Sequence, residues 1–193
     1  MAKTLTAAEQ EVLNWQLIAA AREGNMNAIN QAIKDGADIN ARDEDKITSL
    51  HWAVRGRHIA AVITLLEAGA EIDIRNESDY TPLHWAAFNG DTATMDILIA
   101  FGADLAAEDK CGRTPISIAR VYSSPELAKY LQSMVDNPAK RPVLADIGLD
   151  MSKRNAALKA LATKLVVGEH TAKAVAGMEA QRQAALNDPS EGI

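Results

Sequence analysis

Two histidines, His51 and His84, stand 33 residues apart, each three positions after a threonine and one before a tryptophan. An imidazole can move protons near neutral pH or bind a metal. No Cys or acidic residue sits at ligand spacing to either ring, however, and both belong to the same short motif. They are therefore expected to hydrogen-bond the backbone of adjoining turns. Cys111, beside Lys110 and close to Arg113, could be reactive because cations favour the thiolate; its setting reads more simply as a turn. Glu169, His170 and Lys173 fall within one helical turn but lack a nucleophile or a glycine loop beside them. The chain carries no phosphate-binding loop, nucleophile elbow or paired-cysteine motif. It is expected not to be an enzyme and to need no cofactor and no metal.

The elements that hold these histidines repeat. Thr48-Ser49-Leu50-His51-Trp52-Ala53-Val54, Thr81-Pro82-Leu83-His84-Trp85-Ala86-Ala87 and Thr114-Pro115-Ile116-Ser117-Ile118-Ala119-Arg120 each begin 33 residues after the last. Gly36-Ala37-Asp38, Gly69-Ala70-Glu71 and Gly102-Ala103-Asp104 keep the same step. Two markers sharing one period define a repeat architecture. Each unit reads as two short antiparallel helices. The first opens at a proline behind a threonine cap, since the missing proline N–H would be unpaired there anyway. The second, about Thr92–Ala100 in one unit, turns Met95, Ile97, Leu98 and Ile99 to its neighbour and stops at a left-handed glycine such as Gly102. The polar stretches that follow are expected to reverse direction as projecting turns. Lys46 and Asp79 stand where the third turn has Gly112, so those two turns are expected to differ in shape. Gly56 and Arg57, where Gly90 falls one repeat later, predict an irregular inter-helix turn.

These motifs resemble the ankyrin repeat family, over roughly Trp15 to Val135. The resemblance implies an all-α ankyrin-repeat solenoid of four repeats, about 15–42, 43–75, 76–108 and 109–137, with degenerate terminal repeats that face solvent on one side. Repeat one replaces the motif with Trp15-Gln16-Leu17-Ile18-Ala19-Ala20-Ala21, and repeat four has Ser123-Ser124-Pro125 at its inter-helix turn. Residues 1–14 form an N-terminal capping segment, with Thr6-x-x-Glu9 as a capping box. The resemblance also implies a protein-binding surface made of the turn tips, or fingers, and the first helices. Carried over by position, the expected partner-binding residues are Asp45, Ile47, Trp52, Arg55, Asp79, Tyr80, Trp85, Phe88, Arg113 and Tyr122, with Arg55, Tyr80 and Phe88 the chief anchors. Trp52 and Trp85 could instead pack beneath the fingers, and the acidic tips could be merely solvated.

Composition narrows the partner. Residues 1–138 carry 12 basic and 20 acidic side chains, against 8 and 6 in the remainder. An acidic body argues against nucleic acid, which needs a basic face to displace counterions. It suggests another protein with a basic or mixed-charge surface. No apolar run is long enough to span a bilayer, so no membrane association is expected. The start leads into Glu9, Gln10 and Glu11, which does not suit a secretory signal, and one cysteine fits a reducing compartment. The expected location is cytoplasmic, with export by a route without a cleaved signal left open. Residues 138–193 are expected to be a linker and a helical C-terminal extension, with helices near 153–167 and 171–186. These could cap repeat four, drive a homo-oligomer or bind in trans, or stay mobile.

Overall fold

The computed structural model describes residues 6–143. The expected C-terminal helices and the cluster around His170 lie outside them. The described residues form four helix pairs. The first is α1 (Ala7–Glu23) with α2 (Met26–Asp35), and the second α3 (Ser49–Arg55) with α4 (Ile59–Glu67). Then come α5 (Pro82–Asn89) with α6 (Thr92–Ala100), and α7 (Pro115–Ile118) with α8 (Pro125–Asp136). The main contacts run to neighbours: α1 packs on α3, α3 on α5 and α5 on α7, while each second helix packs on its own first helix.

The core repeats with the same step as the sequence. Leu17, Leu50, Leu83 and Ile116 are all buried, as are Ala20, Ala53, Ala86 and Ala119, 33 residues apart along each row. Ile29, Val62, Met95 and Ala128 make a third row, and Ala32, Leu65, Leu98 and Leu131 a fourth. The alanine row lies on the first helices, where a methyl group lets successive backbones approach closely. Leucine-sized groups in the other rows fill the layers between repeats.

The ends of the helices follow from their residues. Thr6 caps α1, its side chain accepting from the Glu9 N–H while Glu9 Oε2 accepts from the Thr6 N–H at 2.9 Å. The helix runs unbroken past residue 14, so the capping segment and repeat one share it. Asn25, Asp91 and Ser124 cap the second helices of repeats one, three and four with side-chain oxygens. Gly24, Arg57 and Gly90, equivalent by register, all take left-handed backbone at φ 69°, 57° and 65°. Arg57 thus keeps the turn, although α3 ends one residue earlier than α5. Ser123 does not take that shape. The first helix of repeat four instead widens into a π turn over Ala119–Ser123, where Val121 and Tyr122 are exposed.

The expectation that the first two fingers differ from the third is corrected. Lys46 (φ 58°) and Asp79 (φ 60°) adopt the left-handed conformation of Gly112 (φ 70°). An acceptor at one register position imposes it. Asp43 Oδ1 accepts from the Asp45 and Ile47 N–H groups, Asn76 Oδ1 from Ser78 and Tyr80, and Asp109 Oδ1 from Cys111 and Arg113. Three such turns share one geometry whether or not a glycine is present. Backbone bonds join the fingers in series, Glu77 N–H to the Asp45 carbonyl and Lys110 N–H to the Ser78 carbonyl.

Candidate protein-binding surface

The two motif histidines lock each repeat to the next finger. The Thr48 N–H donates to His51 Nδ1 at 3.3 Å, so the ring proton sits on Nε2, which donates to the Tyr80 carbonyl at 3.0 Å. His84 repeats the arrangement between the Thr81 N–H (3.1 Å) and the Arg113 carbonyl (3.0 Å). Both rings are fully buried. Burial, partly offset by the bond to Tyr80, drops His51 from 6.5 to about 4, and burial lowers His84 in the same direction. These are neutral structural groups. Among the described residues no cluster of three or more His, Cys, Asp or Glu could hold a metal ion.

In front of these locks the first helices carry a row of aromatic and arginine side chains. Trp52 and Trp85 meet edge to face with centroids 6.1 Å apart. The Arg22 guanidinium lies 4.9 Å from the Trp52 centroid, and that of Arg55 lies 5.0 Å from Trp52 and 5.4 Å from Trp85. Each such contact is worth about 0.5–1 kcal/mol at an exposed site. Both tryptophans are half-buried, and Trp52 Nε1 donates to Asp43 Oδ2 at 3.0 Å. Trp52 is thereby tied to the first finger, and Trp85 lines the groove beyond.

Beyond them opens a groove of about 420 Å³, lined by Arg55, Tyr80, Trp85, Phe88 and Tyr122 together with Asn76, Ser78 and Asn89. Phe88 (52% exposed) and Tyr122 (51%) touch at 5.2 Å between centroids and leave their outer faces in solvent. Tyr80 is held more firmly. It stacks on His84 at 5.4 Å, and its hydroxyl accepts from Arg113 Nη2. Arg113 in turn bonds the Tyr122 hydroxyl at 3.4 Å and pairs with Asp109 Oδ2 at 2.8 Å. Burial pushes the Asp109 carboxyl up, but the N–H groups and guanidinium of Arg113 outweigh it and hold the acid below the usual range.

Five of the ten residues expected at the interface therefore line one groove: Arg55, Tyr80, Trp85, Phe88 and Tyr122. Trp52 and Arg113 join it through direct contacts. Asp45 and Asp79 stay on the finger tips, outside it. Ile47 is a correction: it is 7% exposed and cannot present itself to a partner. It shares register with Tyr80 and Arg113, and position 18, where His51 and His84 have their equivalent, holds a buried isoleucine. No histidine at 18 is there to bond the Ile47 carbonyl, as His51 and His84 bond those of Tyr80 and Arg113. Arg22 and Asn76 were not among the expected anchors. Asn76 was detectable as the neutral member of the Asp43, Asn76, Asp109 register.

Paired helices, contacts between neighbours and finger turns in series define a helical-repeat solenoid, and the threonine–histidine lock narrows it further. A family model described as ankyrin repeats (3 copies) matches residues 14–76 and 65–141, and the chain belongs to that family. None of the curated proteins with which it was compared matches it. Ankyrin repeats in general are protein–protein interaction modules. No helix among the described residues is long and apolar enough to cross a membrane.

Proposed function

We propose that this chain is a non-enzymatic recognition module that binds a protein partner in the groove of repeats two to four. It would act as an adaptor, as an inhibitor that covers a partner's working surface, or as an immunity- or effector-type protein. The observation that carries this is the gathering of exposed Phe88, Tyr122 and Arg55 with half-buried Trp85 around one groove. Aromatic and arginine side chains gathered in one concavity are the usual anchors of an interface. The hydrogen-bonded fingers and stacked rings pre-order that surface, which reduces the entropy lost on binding.

The test is affinity capture from source-cell lysate with wild type beside a Phe88→Ala/Tyr122→Ala variant. Tyr80 is left intact because its stacking on His84 and bond to Arg113 make its removal a stability defect. Loss of a partner by the folded variant supports the groove as the working surface. Equal retention moves the site elsewhere on the molecule.

A further inference from the structure

We infer that the groove takes an extended protein segment bearing carboxylate side chains, which dock on the guanidinium groups of Arg55 and Arg22. This rests on the proposed reading of the groove as a protein-binding surface. The register across the fingers supplies the reason. Position 43 is Asp and position 109 is Asp, but position 76, which lines the groove, is Asn. In repeat four the acid at this register neutralises an arginine, Asp109 to Arg113 at 2.8 Å. In repeat two the Asp43 carboxylate accepts from three N–H donors, of Asp45, Ile47 and Trp52, and pairs with no arginine among the described residues. In the groove itself the acid is replaced by a neutral amide.

The groove therefore holds no acid among its lining residues, and Arg55 lines it. Its guanidinium and that of Arg22 make no hydrogen bond or ion pair with the described residues, although both are held against tryptophan rings. Arg57, Arg75 and Arg113 all spend side-chain donors on protein oxygens. Two pre-positioned planar forks with free donors, on a body that is otherwise acidic, match carboxylates, which accept two parallel N–H bonds. Each guanidinium lies within about 5 Å of the Trp52 centroid, so the two are at most about 10 Å apart. An extended chain rises about 3.3 Å per residue. Two acidic residues two positions apart, on one face of the extended chain, therefore reach both forks with their side chains, and an apolar side chain further along covers Phe88 and Tyr122. Basic residues flanking the acids would face the acidic finger tips, Asp45 and Glu77. A singly charged carboxylate suits this setting better than a phosphate, whose second charge the acidic body repels.

The test is selection of short random peptides displayed on phage, with the full chain as bait. Wild type, Arg22→Gln/Arg55→Gln and Phe88→Ala/Tyr122→Ala are compared, each checked for folding by circular dichroism. Wild type should enrich Asp or Glu two positions apart, with an apolar residue beyond. The arginine variant should lose the acidic preference and keep the apolar one. In fluorescence anisotropy, changing the selected Glu to Gln should weaken a peptide about tenfold or more. Phosphoserine in its place should not bind more tightly. Peptides indifferent to Arg22 and Arg55, or tighter with phosphoserine, overturn the carboxylate inference while leaving the groove intact. Failure of wild type to enrich any sequence over the Phe88/Tyr122 variant overturns the groove reading itself.

Discussion

Replacing Ser49 with proline should stabilise the protein. Ser49 is the first residue of α3, fully buried, and its Oγ has no hydrogen-bond partner. Leaving a buried hydroxyl unpaired costs about 1–3 kcal/mol. The equivalent positions in the next two repeats hold Pro82 and Pro115, also buried. A proline ring is tolerated only when the preceding residue is extended. Thr48, at φ −101° and ψ 170°, already matches Thr81 (−86°, 165°) and Thr114 (−91°, 162°), which precede prolines. The ring also removes unfolded-state freedom, worth about 0.4–1 kcal/mol. Together these give a gain of about 2 kcal/mol, or about 4–8 °C in midpoint for a chain of this size. Urea denaturation followed at 222 nm, with Ser49→Ala as companion, separates the two contributions. The alanine variant should recover only the hydroxyl part, about 1 kcal/mol. If Ser49→Ala destabilises, the hydroxyl is satisfied after all. If alanine stabilises and proline does not, the amide or the space beside it is in use, and the analogy among repeats fails.

Acid should loosen the locks. His51 stays neutral in the fold down to about pH 4, whereas the unfolded residue takes a proton below 6.5. Its contribution is therefore fully present above pH 6.5 and is lost as pH falls toward 4, by about 3 kcal/mol at most. His84 acts in the same direction. A His51 Hε1 resonance that titrates near 6.5 in the folded protein would refute this. Lys46→Gly should stabilise by about 1 kcal/mol, because a lysine at positive φ is strained; Asp79→Gly should gain less, since aspartate tolerates that backbone. An unchanged denaturation midpoint for both would show that the turns are unstrained. Gly24→Ala should destabilise by about 2 kcal/mol or more, its φ being 69° and its new methyl lying 2.5 Å from His58 Nδ1. His58→Ala in the same chain should relieve part of that loss, and strict additivity in a double-mutant cycle would contradict the contact.

The fold was legible because its stability is periodic. One buried leucine row, one alanine row and the threonine–histidine pair each recur with the sequence step, so register alone placed the helices. The shapes of the fingers were not legible from glycine, because an acceptor at positions 43, 76 and 109 dictates the turn regardless of what occupies 46 or 79. Ile47 was misjudged for a related reason. Its register predicts a surface place, but whether a side chain at that register turns outward depends on its neighbours in space. The aromatic members of the groove were found from their positions. Arg55 was found from its position as well, but the packing of Arg22 and Arg55 on the tryptophans was not, because Arg22–Trp52 and Arg55–Trp85 each join residues 30 apart whose pairing no local pattern reports.

The bonds from His51 and His84 end on main-chain carbonyls, of Tyr80 and Arg113. Every residue type supplies that carbonyl, so the joint does not ask what side chain stands at its far end. Tyr80 and Arg113, two unrelated residues at one register, are what such indifference permits. Heritable change can accordingly rewrite the recognition surface one finger at a time while the joints beneath are inherited untouched. Relatives that share this frame can differ most at the places that choose a partner, and likeness in the buried rows will say little about what any of them binds.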